Sequence, residues 1–524
     1  MEETLGRITG LAGSRIMVTG DNDSNPETAV RIGSMVVVRG KESDVVGVVD
    51  SMELDVSSFQ RRVAVTPLGE ITGSQSNDAT FHRGVSHPPA LGAFVVPATS
   101  ADLKTVYVRP STSNVRIGTL SHDESQPAFV MVDELLSRHF AVVGASGSGK
   151  SCAVTLILSA ILNDQPNAHV ILLDPHNEYT AAFGDLANVL NVENLNLPLW
   201  LFNLEEATRI LVRGGTHQEQ ESQALILKDV ITKARRHNAG VDRSASGITV
   251  DTPTPFAVHD ILRFLNDEVG KLNKADGAIS YLRLRARLES LREDRRFSFL
   301  FTDSLEKQDS LSKLVGNLLS IPVAGKPLTI IDLSGVPSEI ADVVVSLSCR
   351  VMFDFTLWSD PARRPPILLV CEEAHRYLPQ DDRTDFAAGA RAITRIAKEG
   401  RKYGLSLALV SQRPSELSLS ALSQCGTVFA LRMGNEHDQR FVERALPESG
   451  YAMMSALPSL PAQQAVVFGE GVSVSMRVRF DDIPLERRPR SESATFSEAW
   501  REDSAGEEFR EEGIRRWRTQ SRSA

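Results

Sequence analysis

The sequence predicts an α/β core preceded by a small β-rich domain and interrupted by a helical stretch. Three observations carry this reading. Residues 1 to about 100 hold short β-branched runs separated by Gly, Asn, Asp and Pro. From about 115, continuous apolar strands alternate with helical patterns. Between roughly 186 and 305, apolar residues recur at a helical period instead. A chain of 524 residues is too long for one ordinary core, so several domains or subdomains are expected.

Residues 1–110 supply the first domain. "SRIMVTG", "SMVVVRG", "DVVGVVDSMEL" and "RRVAVTPLGEI" read as strands, and their spacing suits a small barrel or sandwich. Residues 111–185 begin the core with "HFAVVG" and "HVILLDP". Residues 186–305 form a helical insertion, with Ile261, Leu265, Val269 and Leu272 on one face of a helix and Tyr281, Leu284, Leu288 and Leu291 on one face of another. The second helix carries Arg283, Arg285, Arg287 and Arg292 off that face, either as a solvated surface or facing nucleic acid or a neighbouring subunit. Residues 306–483 complete the core with "LTIIDLSG", "PILLVCEE", "LSLALVSQ" and "TVFALRM". Such unbroken apolar runs suit strands covered on both faces, as in a parallel sheet. Residues 484–524 form a charged tail in which Phe496, Trp500, Phe509, Ile514 and Trp517 are sparse, and one helix there would dock on a partner.

Composition sets limits. Hydrophobic content of 42% and charged content of 24% are those of an average soluble globular protein. No apolar run reaches the ~20 residues that span a bilayer. The nearest, "VVVSLSCRVMFDF", is broken by Arg350. The segment "MEETLGR" lacks the basic and apolar regions of a signal peptide, so a cytoplasmic location without membrane contact is expected. Cys152, Cys349, Cys371 and Cys425 lie far apart and read as reduced thiols rather than zinc ligands. A net charge of −10 argues against a surface coated for nucleic acid, yet leaves room for a small basic channel, because binding follows local potential.

"HFAVVGASGSGKSCAVTLIL" places Gly144, Gly149, Lys150 and Ser151 in the spacing G-x-x-x-x-G-K-S, after a strand and before a helix. Glycines let successive backbone N–H groups converge on phosphate oxygens, and the helix N-terminus adds partial positive charge. Gly144, Ala145, Ser146, Gly147, Ser148, Gly149, Lys150, Ser151 and Cys152 are therefore the expected nucleotide-binding run. Lys150 reaches the β- and γ-phosphates in this reading, and Ser151 places its hydroxyl on Mg²⁺. ATP and Mg²⁺ are the expected ligands.

The strand "ILLVC" ends on two adjacent carboxylates, Glu372 and Glu373. Neighbouring anions repel, so the arrangement makes sense only beside positive charge. In P-loop enzymes a strand-end carboxylate helps hold Mg²⁺. Glu372 is assigned to the metal, and Glu373 to orienting and deprotonating water. Asp174, His176 and Glu178 lie at another strand end, where they either join the metal shell or cap the next helix. His375 reads as a satisfied histidine near the site.

"RHFAVVGASGSGKS", "ILLDPHNEY", "VCEEAHRYLP", "RIAKEGRKYG" and "VSQRPSELS" occur in that order between about 115 and 480. Together they resemble the HerA family of hexameric DNA-translocating ATPases, relatives of the FtsK-type motors. The segment "LGRITGLAGSRIMV" looks like that family's small β-barrel. One departure is Glu372, where many relatives of these motors carry Asp. The resemblance implies a RecA/FtsK-like P-loop ATPase core and further roles. Gln412 would sense the γ-phosphate or position water, although a polar residue at a strand end is also a common turn. Arg138 and Arg401 match arginines that reach the neighbouring subunit's nucleotide, and without the family they are ordinary surface charges.

The implied activity is ATP-driven DNA translocation by a homohexamer with DNA, most simply duplex, in its central channel. The implied partner is a NurA-type nuclease in DNA end processing, or another effector in anti-phage defence. Two competing readings are a secretion or conjugation ATPase of the same superfamily and a slow, nucleotide-switched scaffold that organises a partner. "KARRHNAGVDR" reads as a surface loop or as pore lining.

Overall fold

The computed structural model describes residues 4–12, 15–21, 30–40, 42–57, 60–73, 79–191, 193–239, 247–270, 275–301, 310–380, 387–444, 451–490, 497, 500–501 and 506–519. Leu272, Phe496 and the last four residues of "KARRHNAGVDR" lie outside them.

Seven strands form the N-terminal sheet: β1 (Gly6–Ala12), β2 (Arg15–Asp21), β3 (Met35–Val38), β4 (Ser43–Asp55), β5 (Gln60–Thr72), β6 (Thr80–Arg83) and β7 (Phe94–Pro97). β2 pairs with both β1 and β5, which closes six strands into a barrel in the order β2-β1-β7-β3-β4-β5 and leaves β6 as an extension of β5. Alternation along each strand sends Ile8, Ile16, Val18, Val36, Val38, Val45, Val49, Val63, Val65 and Val95 into one interior cluster. Val37, Val46, Val48 and Val96 point the other way and join the core of the larger domain. Arg83 ties the two together by donating from Nη1 to the Gly469 carbonyl at 2.9 Å.

The larger domain is built on an 11-stranded sheet. Its strands are β8 (Asn114–Leu120), β9 (Asp123–Met131), β10 (His139–Val143), β11 (His169–Asp174), β12 (Ala187–Leu190), β13 (Leu328–Asp332), β14 (Ile367–Cys371), β15 (Leu405–Ser411), β16 (Cys425–Leu431), β17 (Gln464–Gly469) and β18 (Met476–Phe480). The order is β12-β13-β11-β14-β15-β10-β16-β17-β18-β8-β9. From β12 to β16 all pairs are parallel, and from β16 onward all are antiparallel. β10, β14 and β15 are buried along their whole length, as their unbroken apolar sequences require. The fold is thus a mixed α/β P-loop core behind a small β-barrel, the class the sequence predicts.

Two stretches differ from the sequence reading. The region expected to be helical from 186 also contributes β12, four residues that extend the sheet beyond β13. Its helices His217–Asn238, Val258–Val269 and Ala275–Glu293 do pack together, with Leu284, Leu288 and Leu291 buried. Three of the four arginines of the helix Ala275–Glu293 are engaged within the chain: Arg283 with Glu219 at 3.0 Å, Arg285 with Asn266 at 3.0 Å, and Arg287 with the Ile210 carbonyl at 3.1 Å. The start of the expected tail packs back on the core, where the Arg490 amide donates to the Glu178 carbonyl at 3.0 Å. Beyond it, the helix Glu507–Thr519 leaves Phe509 and Trp517 exposed.

Candidate active site

Because β10, β11, β14 and β15 run parallel, their carboxyl ends share one edge of the sheet. Open α/β sheets bind ligands outside that edge. The loop Gly144–Gly149 leaves β10 there and is fixed to its neighbours by backbone bonds. Gly144 N–H donates to Ser411 O at 3.2 Å and Ala145 N–H to Arg432 O at 2.8 Å, while Ser148 O accepts from Gln463 N–H at 3.3 Å. Gly147 (φ 71°) and Gly149 (φ 99°) take left-handed conformations that a side chain resists. The helix Lys150–Asp164 follows, and its first amides have no intrahelical acceptor. Ser146 and Gly147 form the exposed crest, with Ser151 and Cys152 half-buried behind it.

Lys150 is buried, and its ammonium donates to the Ala145 carbonyl at 3.0 Å. Burial lowers its pKa, opposed by the charges of Glu372, Glu373 and Glu178. Glu372 is fully buried, and burial pushes its carboxyl up to about 8 despite a hydrogen bond donated by Tyr179 Oη to Oε2 at 2.5 Å. Glu373 stands in the left-handed region (φ 51°, ψ 46°), which costs a non-glycine residue on the order of 1–3 kcal/mol and turns its carboxylate off the line of β14. Its pKa is also raised by burial, with Lys150 and the Gln412 amide opposing. Nδ1 of His375 lies 3.2 Å from Glu373 Oε2 and 3.2 Å from Ser411 Oγ.

The residues fit a magnesium-bound nucleotide. Buried anionic groups held above their usual pKa are relieved by a dication. Ser148 Oγ and Glu373 Oε2 are buried and make no hydrogen bond, Glu373 Oε2 having only His375 Nδ1 at ion-pair distance. Ser151 and Glu372 are the residues that would hold the metal, the phosphates and water supplying the rest of its shell. Asp174 braces the turn that leads into the next helix: its carboxylate accepts the amides of His176, Glu178 and Tyr179 at 3.3, 3.2 and 3.0 Å.

Of the residues singled out from sequence, Lys150, Ser151, Glu372, Glu373 and Gln412 meet at the carboxyl edge. Arg138 and Arg401 do not. Arg138 precedes β10 and Arg401 sits in the turn Gly400–Tyr403 that precedes β15, so both lie at the amino edge. At ~3.3 Å per residue, the strands separate them from their own phosphate loop by roughly 15–20 Å. Arg138 is half-exposed and pairs with Glu470 at 2.6 Å, and Arg401 is exposed. Tyr179 is the site residue sequence reasoning passed over. Its position at the end of "DPHNEY" was visible, but its bond to Glu372 spans 193 positions.

Residues 115–352 match the family described as "Helicase HerA, central domain". The chain is 25% identical to the DNA double-strand break repair helicase HerA of Pyrococcus furiosus, over 91% of this chain and 92% of that protein. It is 24% identical to a probable DNA double-strand break repair helicase HerA of Methanocaldococcus jannaschii, over 86% of this chain and 91% of that one. Among solved structures, VirB4 of Thermoanaerobacter pseudethanolicus superposes with a TM-score of 0.51 at 16% identity, covering 73% of this chain and 99% of that chain, a likeness of fold alone. No helix of the described residues is long and apolar enough to cross a membrane. The chain is thus similar to the HerA helicases: part of it matches that family's central domain, and its likeness to the named HerA proteins runs through nearly its whole length.

Proposed function

We propose that this protein is an ATP hydrolase that drives DNA through the channel of a homohexameric ring, working with a NurA-type nuclease or another effector in DNA end processing or anti-phage defence. The observation that carries the proposal is the split between the two edges of the sheet. Each chain presents a phosphate loop and carboxylates at one edge and Arg138 and Arg401 at the other, and a ring sets one chain's arginines against its neighbour's loop.

Residues 144–152 bind the nucleotide in this reading, with Lys150 leaving the Ala145 carbonyl for the β- and γ-phosphates. Ser151 and Glu372 would hold Mg²⁺, which would supply positive charge against the phosphates. Tyr179 keeps the Glu372 carboxylate oriented from behind. Glu373 takes the proton of the attacking water, and its raised pKa makes it a stronger base than a solvated glutamate. Gln412 follows β15 beside Glu373 and senses the γ-phosphate. Arg138 and Arg401 arrive from the neighbour to stabilise charge on the transferring phosphoryl group.

The test is ATP turnover by the purified protein with and without duplex DNA, together with its mass in solution. A hexamer whose turnover rises with duplex DNA supports the proposal. A monomer at micromolar concentration with ATP and Mg²⁺, or a ring indifferent to DNA, overturns it.

A further inference from the structure

His139 is the first residue of β10 and is 4% exposed. Its ring nitrogens lie 2.9 Å from the Ala397 carbonyl (Nε2) and 3.0 Å from the Leu407 amide (Nδ1). A carbonyl only accepts and an amide N–H only donates, so Nε2 carries the proton and Nδ1 the lone pair. The imidazole is therefore neutral and held in one tautomer. Burial lowers its pKa and Arg401's charge lowers it further, against the bond to Ala397, so the neutral form is the favoured one.

The two partners flank one segment. Ala397 stands near the end of the helix Ala387–Glu399, Leu407 stands in β15, and the turn carrying Arg401 lies between them. That turn has little slack. A Cβ added at Gly400 would lie 3.0 Å from Leu405 Cβ and 3.2 Å from Ile396 Cγ2, and Gly404 closes the turn at φ 74°. On the other side, the backbone neighbour of His139 is Arg138. Arg138 is packed over Gly426, where an added Cβ would lie 2.8 Å from its own, and is bonded to Glu470. One buried ring thus joins the backbones that carry both arginines.

We infer that His139 is a positioning residue that fixes Arg138 and Arg401 relative to one another, so that both meet the neighbouring subunit's nucleotide together. The inference rests on the trans reading of the arginines. Misplacing a group by an ångström can cost on the order of 10²-fold in rate with binding preserved. His139→Phe keeps the ring shape and removes both hydrogen bonds. It should leave assembly, ATP affinity and KM unchanged while kcat falls about 10²-fold, and His139→Gln, which offers a donor and an acceptor, should recover part of that loss.

The deciding experiment mixes full-length subunits under exchange. His139→Phe subunits keep an intact Glu373, and Glu373→Gln subunits keep intact arginines. If the defect lies on the arginine side, some interfaces in mixed rings are whole and single-turnover hydrolysis partly returns. A parallel mixture of Arg401→Ala with Glu373→Gln tests the trans reading itself. Recovery in both mixtures supports the inference. Recovery only in the Arg401→Ala mixture overturns the role of His139, as does a joint loss of ATP affinity and turnover in His139→Phe. No recovery in the Arg401→Ala mixture, with exchange confirmed, overturns the trans reading instead. Should His139→Phe fail to assemble, His139→Gln and His139→Asn enter the same mixtures, and unchanged kcat in both overturns the inference.

Discussion

The two edges of the parallel sheet are built by opposite rules. At the carboxyl edge, charged groups are buried and fixed by other buried groups: Glu372 by Tyr179, and Lys150 by a loop carbonyl. At the amino edge the two arginines reach solvent, Arg138 pairing there with Glu470, while the backbone beside them is tied together by the buried His139. The first arrangement is, in the proposed reading, a nucleotide site built within one chain. The second, in the proposed ring, is half of a site, with buried footings and exposed side chains. One chain therefore carries two unlike halves, and the substitutions below ask whether they belong to one reaction.

The amino edge should give the largest effect. If the proposed trans role holds, Arg401→Ala, or Arg138→Ala, should leave a ring that binds ATP and hydrolyses on the order of 10³- to 10⁵-fold more slowly. Steady-state turnover beside a nucleotide-binding titration reads this directly, and near-normal turnover in both variants would erase the comparison. At the carboxyl edge, Glu373→Gln should retain ATP binding and lose roughly 10²- to 10⁴-fold in hydrolysis. Lys150→Ala should damage binding and turnover together, so mild and equal effects of these two changes would mean the site lies elsewhere.

A finer cut separates groups that touch ligand from those behind them. Tyr179→Phe removes the hydrogen bond on Glu372 while keeping the ring stacked on Phe183. The Mg²⁺ concentration for half-maximal ATPase should rise by about ten- to a hundredfold, the usual cost of losing a partner behind a metal ligand. An unchanged magnesium titration would take Tyr179 out of the site. Smallest should be Glu470→Ala. The Arg138–Glu470 pair is about half-exposed on both sides, and such pairs contribute roughly 0–1 kcal/mol. Thermal unfolding should shift by a degree or two at most, and a turnover loss beyond about tenfold would show that Glu470 aims Arg138 rather than merely resting against it.

Sequence reading reached the first half of this contrast more easily than the second. β10, β11, β13, β14, β15 and β16 announce themselves because strands covered on both faces must be continuously apolar. The phosphate loop is equally plain, because its glycines are needed for local backbone reasons. β12 passed unnoticed because "ANVL" is too short to separate from a helical turn. β8 and β9 are antiparallel and only part-buried, and β9 contains Pro127, so neither carries the apolar signature. Tyr179 and His139 act through bonds to residues 193 and more than 250 positions away, and no local pattern encodes such a pairing. Arg138 and Arg401 came from family resemblance alone, since exposed arginines have no distinguishing context in one sequence.

The pairing of β18 with β8 has a consequence for how the protein is made. Leu120 faces Val478 across that ladder, so a strand near the beginning of the ATPase core waits for one near its end. Chains elongate at about 5–20 residues per second, which puts on the order of twenty seconds to a minute between the two. The barrel, whose ladders all close within the first hundred residues, is free to fold in that interval. Meanwhile β8 has only β9 to pair with, and its other edge is open to any passing strand. Aggregation during synthesis should therefore concentrate in chains that stop short of β18, and a truncation ending near residue 470 should be less soluble than one ending just beyond the barrel.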